Sequence, residues 1–247
     1  MSGAALPGAS RLRISGAGLS HRGLVREVNE DALLTDPTGV LWAVADGMGG
    51  HGHGDLAADL TVDALARLPH GDAGRDELDR ALREAHADVR ARARRDGLGE
   101  IGATVVALMI QGARAIVAWA GDSRAYLLRD GALSRITRDH SLVQELVDQG
   151  ALDPAEADHH PQSNVVTRAI GSGAEATPEF TDLELRGGDG LLLCSDGLTR
   201  CAGEPEIAGL MAAAPDPERA CQALVELALT RGAPDNVSVV VVRVAEA

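Results

Sequence analysis

Two stretches near the middle of the chain restrict the fold more than anything else. Residues 103–120 read "ATVVALMI-QG-ARAIVAWA", two apolar runs joined at Gln111-Gly112, and short turns of this kind close β-hairpins. Residues 124–136, "RAYLLRDGALSRI", repeat the device with Asp130-Gly131 between the runs. Hairpins pair antiparallel, so a parallel α/β wheel is excluded. Further strand signals fall at residues 11–20, 41–45, 180–185, 191–194 and 237–244. Helical periodicity appears at 56–68, 77–95, 141–149 and 217–230, with apolar residues at three- and four-residue steps and charged faces outward. Antiparallel strands with helices in separate blocks predict an α+β fold of sheets covered by helical layers. The Arg90–Arg95 cluster reads as a solvated helix face. Residues 150–161, "GALDPAEADHHP", form a polar excursion from the core.

The 247 residues, 45% hydrophobic and 24% charged, suit a globular protein, and the length predicts one domain. Aromatics are only 2% of the chain, so the core must be built from Leu, Val, Ile and Ala. Every basic side chain is Arg, and the net charge is −14. Binding to a phosphate backbone needs the opposite sign, so no nucleic-acid partner is expected. Cys194, Cys201 and Cys221 form no CxxC pair, which fits a reducing compartment. With no apolar run long enough for a bilayer and no leader pattern, a cytoplasmic protein without a membrane partner is expected.

Carboxylates recur beside the strand signals. In "LWAVADGMGGHGHGD", residues 41–55, an apolar run ends at Asp46 and glycines interleaved with His51 and His53 follow. "VNEDA" places Glu30 and Asp31 before an apolar stretch, "WAGDSRAY" ends a run at Asp122, and "LLLCSDGLT" does so at Asp196. "GAPDNVSVVVV" sets Asp235 and Asn236 before the last run. Each Asp taken alone is a good cap or turn residue. Four such coincidences beside buried strands point instead to a cluster of carboxylates with few Arg partners. Hard divalent cations offset such a charge and prefer oxygen ligands. The histidines lack zinc spacing, so Mg²⁺ or Mn²⁺ is the physical expectation. Two such ions make a hydrolytic site for phosphate esters, and Arg26, four residues before Glu30, can grip a phosphate bidentately.

These pieces occur in an order that resembles the metal-dependent Ser/Thr protein phosphatases, the PPM or type 2C family, in its bacterial branch. The matching segments are "RGLVREVNEDA", "VADGMGGHGHGDLAAD", "GATVV", "WAGDSRAYLLRDG", "ITRDHSLVQELVDQG", "HPQSNVVTRAIG", "LLLCSDGLT" and "GAPDNVSVVVVRV". The resemblance implies a four-layer αββα sandwich over residues 1–247, with a mobile flap at about 139–171. It implies that Asp46 bridges two Mn²⁺ or Mg²⁺ ions with the Gly47 carbonyl as a further ligand. Asp196 and Asp235 would complete one ion, and Glu30 would approach the other directly or through water. Asp31 would orient metal-bound water, Arg26 would hold the substrate phosphate, and Asp122 with Asp196 would serve a third ion.

The implied reaction is hydrolysis of phosphoserine and phosphothreonine by a metal-bridging hydroxide. Its partners would be phosphorylated proteins, among them Ser/Thr kinases, with the enzyme a monomer. Met48 stands where animal relatives carry a His proposed as general acid, Asp55 where bacterial relatives often have Glu, and Ala103 where Thr is common. His51, His53, His159 and His160 are expected to have no ligand role. Two rival readings remain: a catalytically weak regulatory module that binds phosphoproteins, and a two-metal nuclease or phosphodiesterase, which the acidic balance disfavours.

Overall fold

A computed structural model describes residues 12–49, 52–69 and 73–247. Among the described residues, ten strands form two five-stranded sheets in which every paired neighbour is antiparallel. The first sheet has β1 (Leu12–His21), β10 (Val237–Glu246), β9 (Gly190–Cys194), β6 (Arg124–Arg129) and β7 (Ala132–Arg135) in that spatial order. The second runs β2 (Asp31–Thr35), β3 (Leu41–Gly49), β4 (Ile101–Gln111), β5 (Arg114–Ala120) and β8 (Glu179–Glu184). Helices α1 (Gly54–Ala66), α2 (Arg75–Asp96), α3 (Leu142–Asp148), α4 (Asp196–Thr199), α5 (Glu204–Ala213) and α6 (Pro217–Thr230) complete the described elements, with a 3₁₀ turn at Pro154–His159.

Alternation along the strands explains the layers. On β4, Val106, Leu108 and Ile110 pack against Val240, Val242, Leu191 and Leu193 of the opposite sheet. The intervening Val105, Ala107 and Met109 pack beneath α1 and α2. On β10, Val240, Val242 and Val244 face the other sheet, while Val239 and Val241 lie under α5 and α6. Both faces of the central strands are therefore buried, which is why they read as unbroken apolar runs rather than alternating ones. The result is the expected four-layer αββα sandwich. Trp42, 1% exposed, fills the space between the sheets. It does so beside Gly16, where an added Cβ would stand 2.6 Å from the indole nitrogen.

Several elements differ from expectation. The strand through "LWAVADG" does not end at Asp46 but continues to Gly49, because residues 47–49 still pair with 101–103 of β4. Asp46 is thus an internal strand residue near the mouth of the sheet. Strand β2 and helices α4 and α5 were not anticipated from the sequence pattern. The first hairpin turns at Gly112-Ala113, one residue later than Gln111-Gly112, since Gln111 pairs with Arg114. At the second, Asp130 and Gly131 both take positive φ, 52° and 80°, as the sharp hairpin turn requires. The arginines at the end of α2 make local pairs, including Arg95 with Asp96 at 2.9 Å. No helix of the described residues is long and apolar enough to cross a membrane.

Candidate active site

The carboxylates meet at one end of the sandwich, and both sheets deliver them. Asp31 opens β2 and lies directly opposite Asp46 in the β2–β3 register. Like charges in this position destabilise a sheet unless something positive lies between them. From the first sheet, Asp196 follows β9 and begins α4, while Asp235 immediately precedes the segment entering β10. Asp122 sits in the β5–β6 connection, beside Ser123, whose hydroxyl hydrogen-bonds Thr104 at 2.7 Å. One polar chain ties the sheets together here. The Ser195 hydroxyl donates to Asp31 Oδ2 at 2.9 Å and accepts from the Ser238 amide at 3.0 Å.

Crowding is visible in the acidities. Asp46 is pushed well above the ordinary carboxylate value, first by burial and then by the charges of Asp31, Asp196, Asp122 and Asp235. Burial likewise lifts Asp31 to about 7, against hydrogen bonding from Ser238 and Ser195, and Asp196 and Asp235 add to the rise. Asp122 is raised to about 7 by burial, then by Asp196 and Asp139. Asp196 is raised by burial in spite of Arg200. Two buried carboxylate oxygens, Asp31 Oδ1 and Asp196 Oδ1, have no hydrogen-bond partner. Buried anionic oxygens without donors, held among like charges, fit hard divalent cations in both charge and ligand type.

Arginines already offset part of this charge. Arg26 Nη2 lies 2.8 Å from Asp235 Oδ2, and Arg200 Nη2 lies 2.5 Å from Asp196 Oδ2. The expected scarcity of Arg partners is thereby corrected: two of the carboxylates have one. Among the described residues, no three His, Cys, Asp or Glu side chains close into a ready-made cage. Arg26 is half exposed and fixed on Asp235 rather than pointing at open solvent.

Glu30 is held from three directions. Its amide donates to Asn236 Oδ1 at 2.8 Å, its carbonyl accepts from Gly47, and its Oε1 accepts from the Gly54 amide at 2.8 Å. This geometry explains the glycines after Asp46. Gly47 and Gly54 lie back to back, and a Cβ on Gly47 would come within 2.2 Å of the Gly54 carbonyl oxygen. Met48 is half-buried next to them, and Asp55 sits in the first turn of α1. Ala103 pairs with Ile170, anchoring the far end of the 139–171 segment to β4. His53 precedes α1 without capping it through its side chain. His51 and the His159 side chain lie outside the described residues, and His160 accepts from the Gln162 amide.

A cavity of about 320 Å³ opens over Asp122 and Asp196, lined also by Arg124, Asp139, Arg200, Ser163 and Asn164. Arg124 grips Asp139 with three hydrogen bonds of 2.6–3.1 Å at the root of the 139–171 segment. Sequence reasoning passed over Arg200, Arg124, Asp139, Ser195 and the linking role of Asn236. Arg200 lies four residues after Asp196, a pairing distance only on a helix, and the four-residue α4 has no periodicity of its own to announce it. The cysteines take no part: all three are free and buried, and burial pushes the Cys194 thiol up to about 12.

Comparison with known proteins identifies the family. Residues 17–228 match the family model described as protein phosphatase 2C. The chain is 42% identical over 234 residues to the serine/threonine protein phosphatase PstP of Mycobacterium tuberculosis, covering 93% of this chain and 45% of that protein. It thus spans about half the length of that relative. The serine/threonine phosphatase stp of Listeria monocytogenes is 31% identical, with 90% of this chain and 93% of that one covered. Among solved structures, the catalytic domain of PstP in complex with two manganese ions superimposes with a TM-score of 0.86 at 40% identity, over 95% of this chain and 99% of that one. The chain belongs to the protein phosphatase 2C family.

Proposed function

We propose that this chain is a phosphoprotein phosphatase that hydrolyses phosphoserine and phosphothreonine with two Mn²⁺ or Mg²⁺ ions in a core site and a third beside them. The carrying observation is Asp31 facing Asp46 across β2 and β3, with Asp31 Oδ1 and Asp196 Oδ1 buried and unpartnered. The two manganese ions of the PstP catalytic domain support the same reading. In it, Asp46, Glu30, Asp196, Asp235 and the Gly47 carbonyl would hold the core pair, and Asp122 with Asp196 would hold the third. When bound, the cations supply charge that lowers the pKa of a water and offsets the phosphoryl oxygens.

The chain's own residues do the rest. Asp31, fixed by Ser195, is a hydrogen-bond acceptor that orients the attacking water. Arg26, half exposed beside Asp235, offers its guanidinium to an entering phosphate through parallel N–H bonds. Glu30 Oε1 holds the Gly54 amide, and Gly47 packs on Gly54 where a Cβ has no room, so the Gly47 backbone can approach the site closely. Residues 139–171 act as a flap on a single catalytic domain. Phosphorylated proteins, Ser/Thr kinases among them, are the proposed substrates, in the cytoplasm, for a monomeric enzyme.

The test is hydrolysis of a phosphothreonine peptide, p-nitrophenyl phosphate and bis(p-nitrophenyl) phosphate after EDTA treatment, with and without added Mn²⁺. The proposal expects Mn²⁺-dependent turnover of both monoesters and little of the diester. Turnover that survives EDTA, or a preference for the diester, contradicts it. Phosphopeptide binding without turnover would favour the regulatory module instead.

A further inference from the structure

Large apolar side chains left in water are few among the described residues. They are Leu24 (60% exposed), Val25 (68%), Val28 (50%) and Val165 (42%). Isolated exposed apolar residues need no explanation, but three of these four fall within five residues of one another. Three lie in the loop of residues 22–28 that also carries Arg26, the side chain bonded to Asp235. The fourth adjoins Ser163 and Asn164, which line the cavity over Asp122 and Asp196.

The loop that displays the trio is braced rather than slack. Asn236 Nδ2 donates to the carbonyls of both Arg22 and Val28 at 2.9 Å, closing the loop at its two ends. The Leu24 amide donates to Ala233 O at 3.0 Å, and Arg22 Nη1 donates to the Arg26 carbonyl at 2.8 Å. Gly23, at φ 77°, lies so close to the 233–235 backbone that a Cβ would stand 2.1 Å from Asp235 O. A loop fixed in this way holds its apolar side chains outward, and the segment it leans on is the one that carries Asp235. Grouped apolar exposure on a rigid frame marks a surface to be covered by a partner.

We propose that Leu24, Val25 and Val28 form an apolar rim that selects phosphoprotein segments with aliphatic or aromatic residues beside the phosphorylated Ser or Thr. This rests on the phosphatase reading above and adds the substrate class to it. The occupant follows from continuity: Arg26 belongs to both the rim loop and the phosphate site. A phosphate held by Arg26 therefore brings its flanking residues against the loop that displays Leu24, Val25 and Val28. The net charge of −14 disfavours acidic flanks.

The experiment compares two phosphothreonine peptides that differ only in the two residues on each side of the phosphothreonine, Leu/Phe against Ser/Gly. Both are given to the Mn²⁺-loaded wild type, to the Leu24→Ser/Val25→Ser/Val28→Ser variant, and to Leu24→Ser and Val25→Ser alone. The wild type should favour the apolar peptide about tenfold in kcat/KM, mainly through KM, which is the discrimination a few methylenes provide. The triple variant should bring the ratio near one, and each single variant should lower it in part, so a triple variant that fails to fold does not end the test. A wild type without preference, or a folded variant with the wild-type ratio, overturns the rim. Turnover of no phosphomonoester at all by the wild type is the separate failure of the phosphatase reading. A concentration-dependent dimer in sedimentation that the triple variant abolishes also overturns the proposal, by making a second copy the occupant.

Discussion

Asn236 is where the account can be tested by stability alone. Its side chain is 5% exposed and makes three hydrogen bonds: it accepts from the Glu30 amide and donates to the carbonyls of Arg22 and Val28. Asn236→Ala removes all three. The Arg22 and Val28 carbonyls belong to exposed residues and regain water, whereas the Glu30 amide is half-buried. A net hydrogen bond is worth about 1 kcal/mol, and an unsatisfied buried group costs about 1–3 kcal/mol. The expected loss is therefore about 3 kcal/mol, or roughly 6–12 °C in Tm for a domain of this size. Asn236→Asp keeps the acceptor for Glu30 but loses both donors and adds a charge beside Asp235, so it should stay at least about 2 kcal/mol below wild type. Urea unfolding followed by circular dichroism in EDTA gives the measurement, with the denaturant slope unchanged. A loss under about 0.5 kcal/mol for Asn236→Ala, or full recovery in Asn236→Asp, refutes the claim that this side chain ties the 22–30 segment to the Asp235 segment.

Other expectations concern the same end of the molecule. Gly23→Ala combines a positive φ with a Cβ 2.1 Å from Asp235 O, so it should destabilise by more than about 1 kcal/mol and raise KM for p-nitrophenyl phosphate; wild-type stability and kinetics would contradict the close packing. Asp31 and Asp122 are lifted to about 7 mainly by burial, against about 3.9 for an unfolded Asp. The folded chain therefore holds these protons longer, and their contribution to stability is complete below about pH 4 and is lost as pH rises through 7. Mn²⁺ must displace the same protons, so its shift in Tm should be larger at pH 8 than at pH 6, and the opposite order in paired melts would contradict the assignment. Arg200→Ala frees the Asp196 carboxylate from its 2.5 Å ion pair and should tighten Mn²⁺ binding several-fold by calorimetry; weaker binding would mean Arg200 supports the site rather than competing with cations.

How far the sequence spoke depended on the range of each interaction. Central strands such as "ATVVALMI" were legible because burial on both faces leaves an unbroken apolar run. Strand β2, "DALLT", is five residues long and begins with a carboxylate, so no periodicity marks it. Helix α5 was obscured by Pro205 and Gly209, which interrupt a short pattern already poor in large side chains. Asp46 stood out as a charge beside a buried run, yet its place inside β3 is decided by the pairing of residues 47–49 with 101–103, beyond α1 and α2 in the chain. The recurrence of Asp beside strand signals named the acidic cluster. Its partners were beyond reach, since Ser195 meets Asp31 across 164 positions and Arg26 meets Asp235 across 209. Nothing local in "SDG" or "REVNED" encodes such a contact.

The central claim is that the carboxylate cluster at the end of the two sheets holds a pair of divalent cations through Asp46. Calorimetric titration of Mn²⁺ into EDTA-stripped wild type, Asp46→Asn and Asp122→Asn tests it most directly. An amide offers a neutral oxygen and cannot hold two dications as a carboxylate does. The account predicts tight binding in the wild type, its loss in Asp46→Asn, and its retention in Asp122→Asn with only a weaker additional site removed. Tight binding kept in Asp46→Asn, or lost in Asp122→Asn alone, would contradict it.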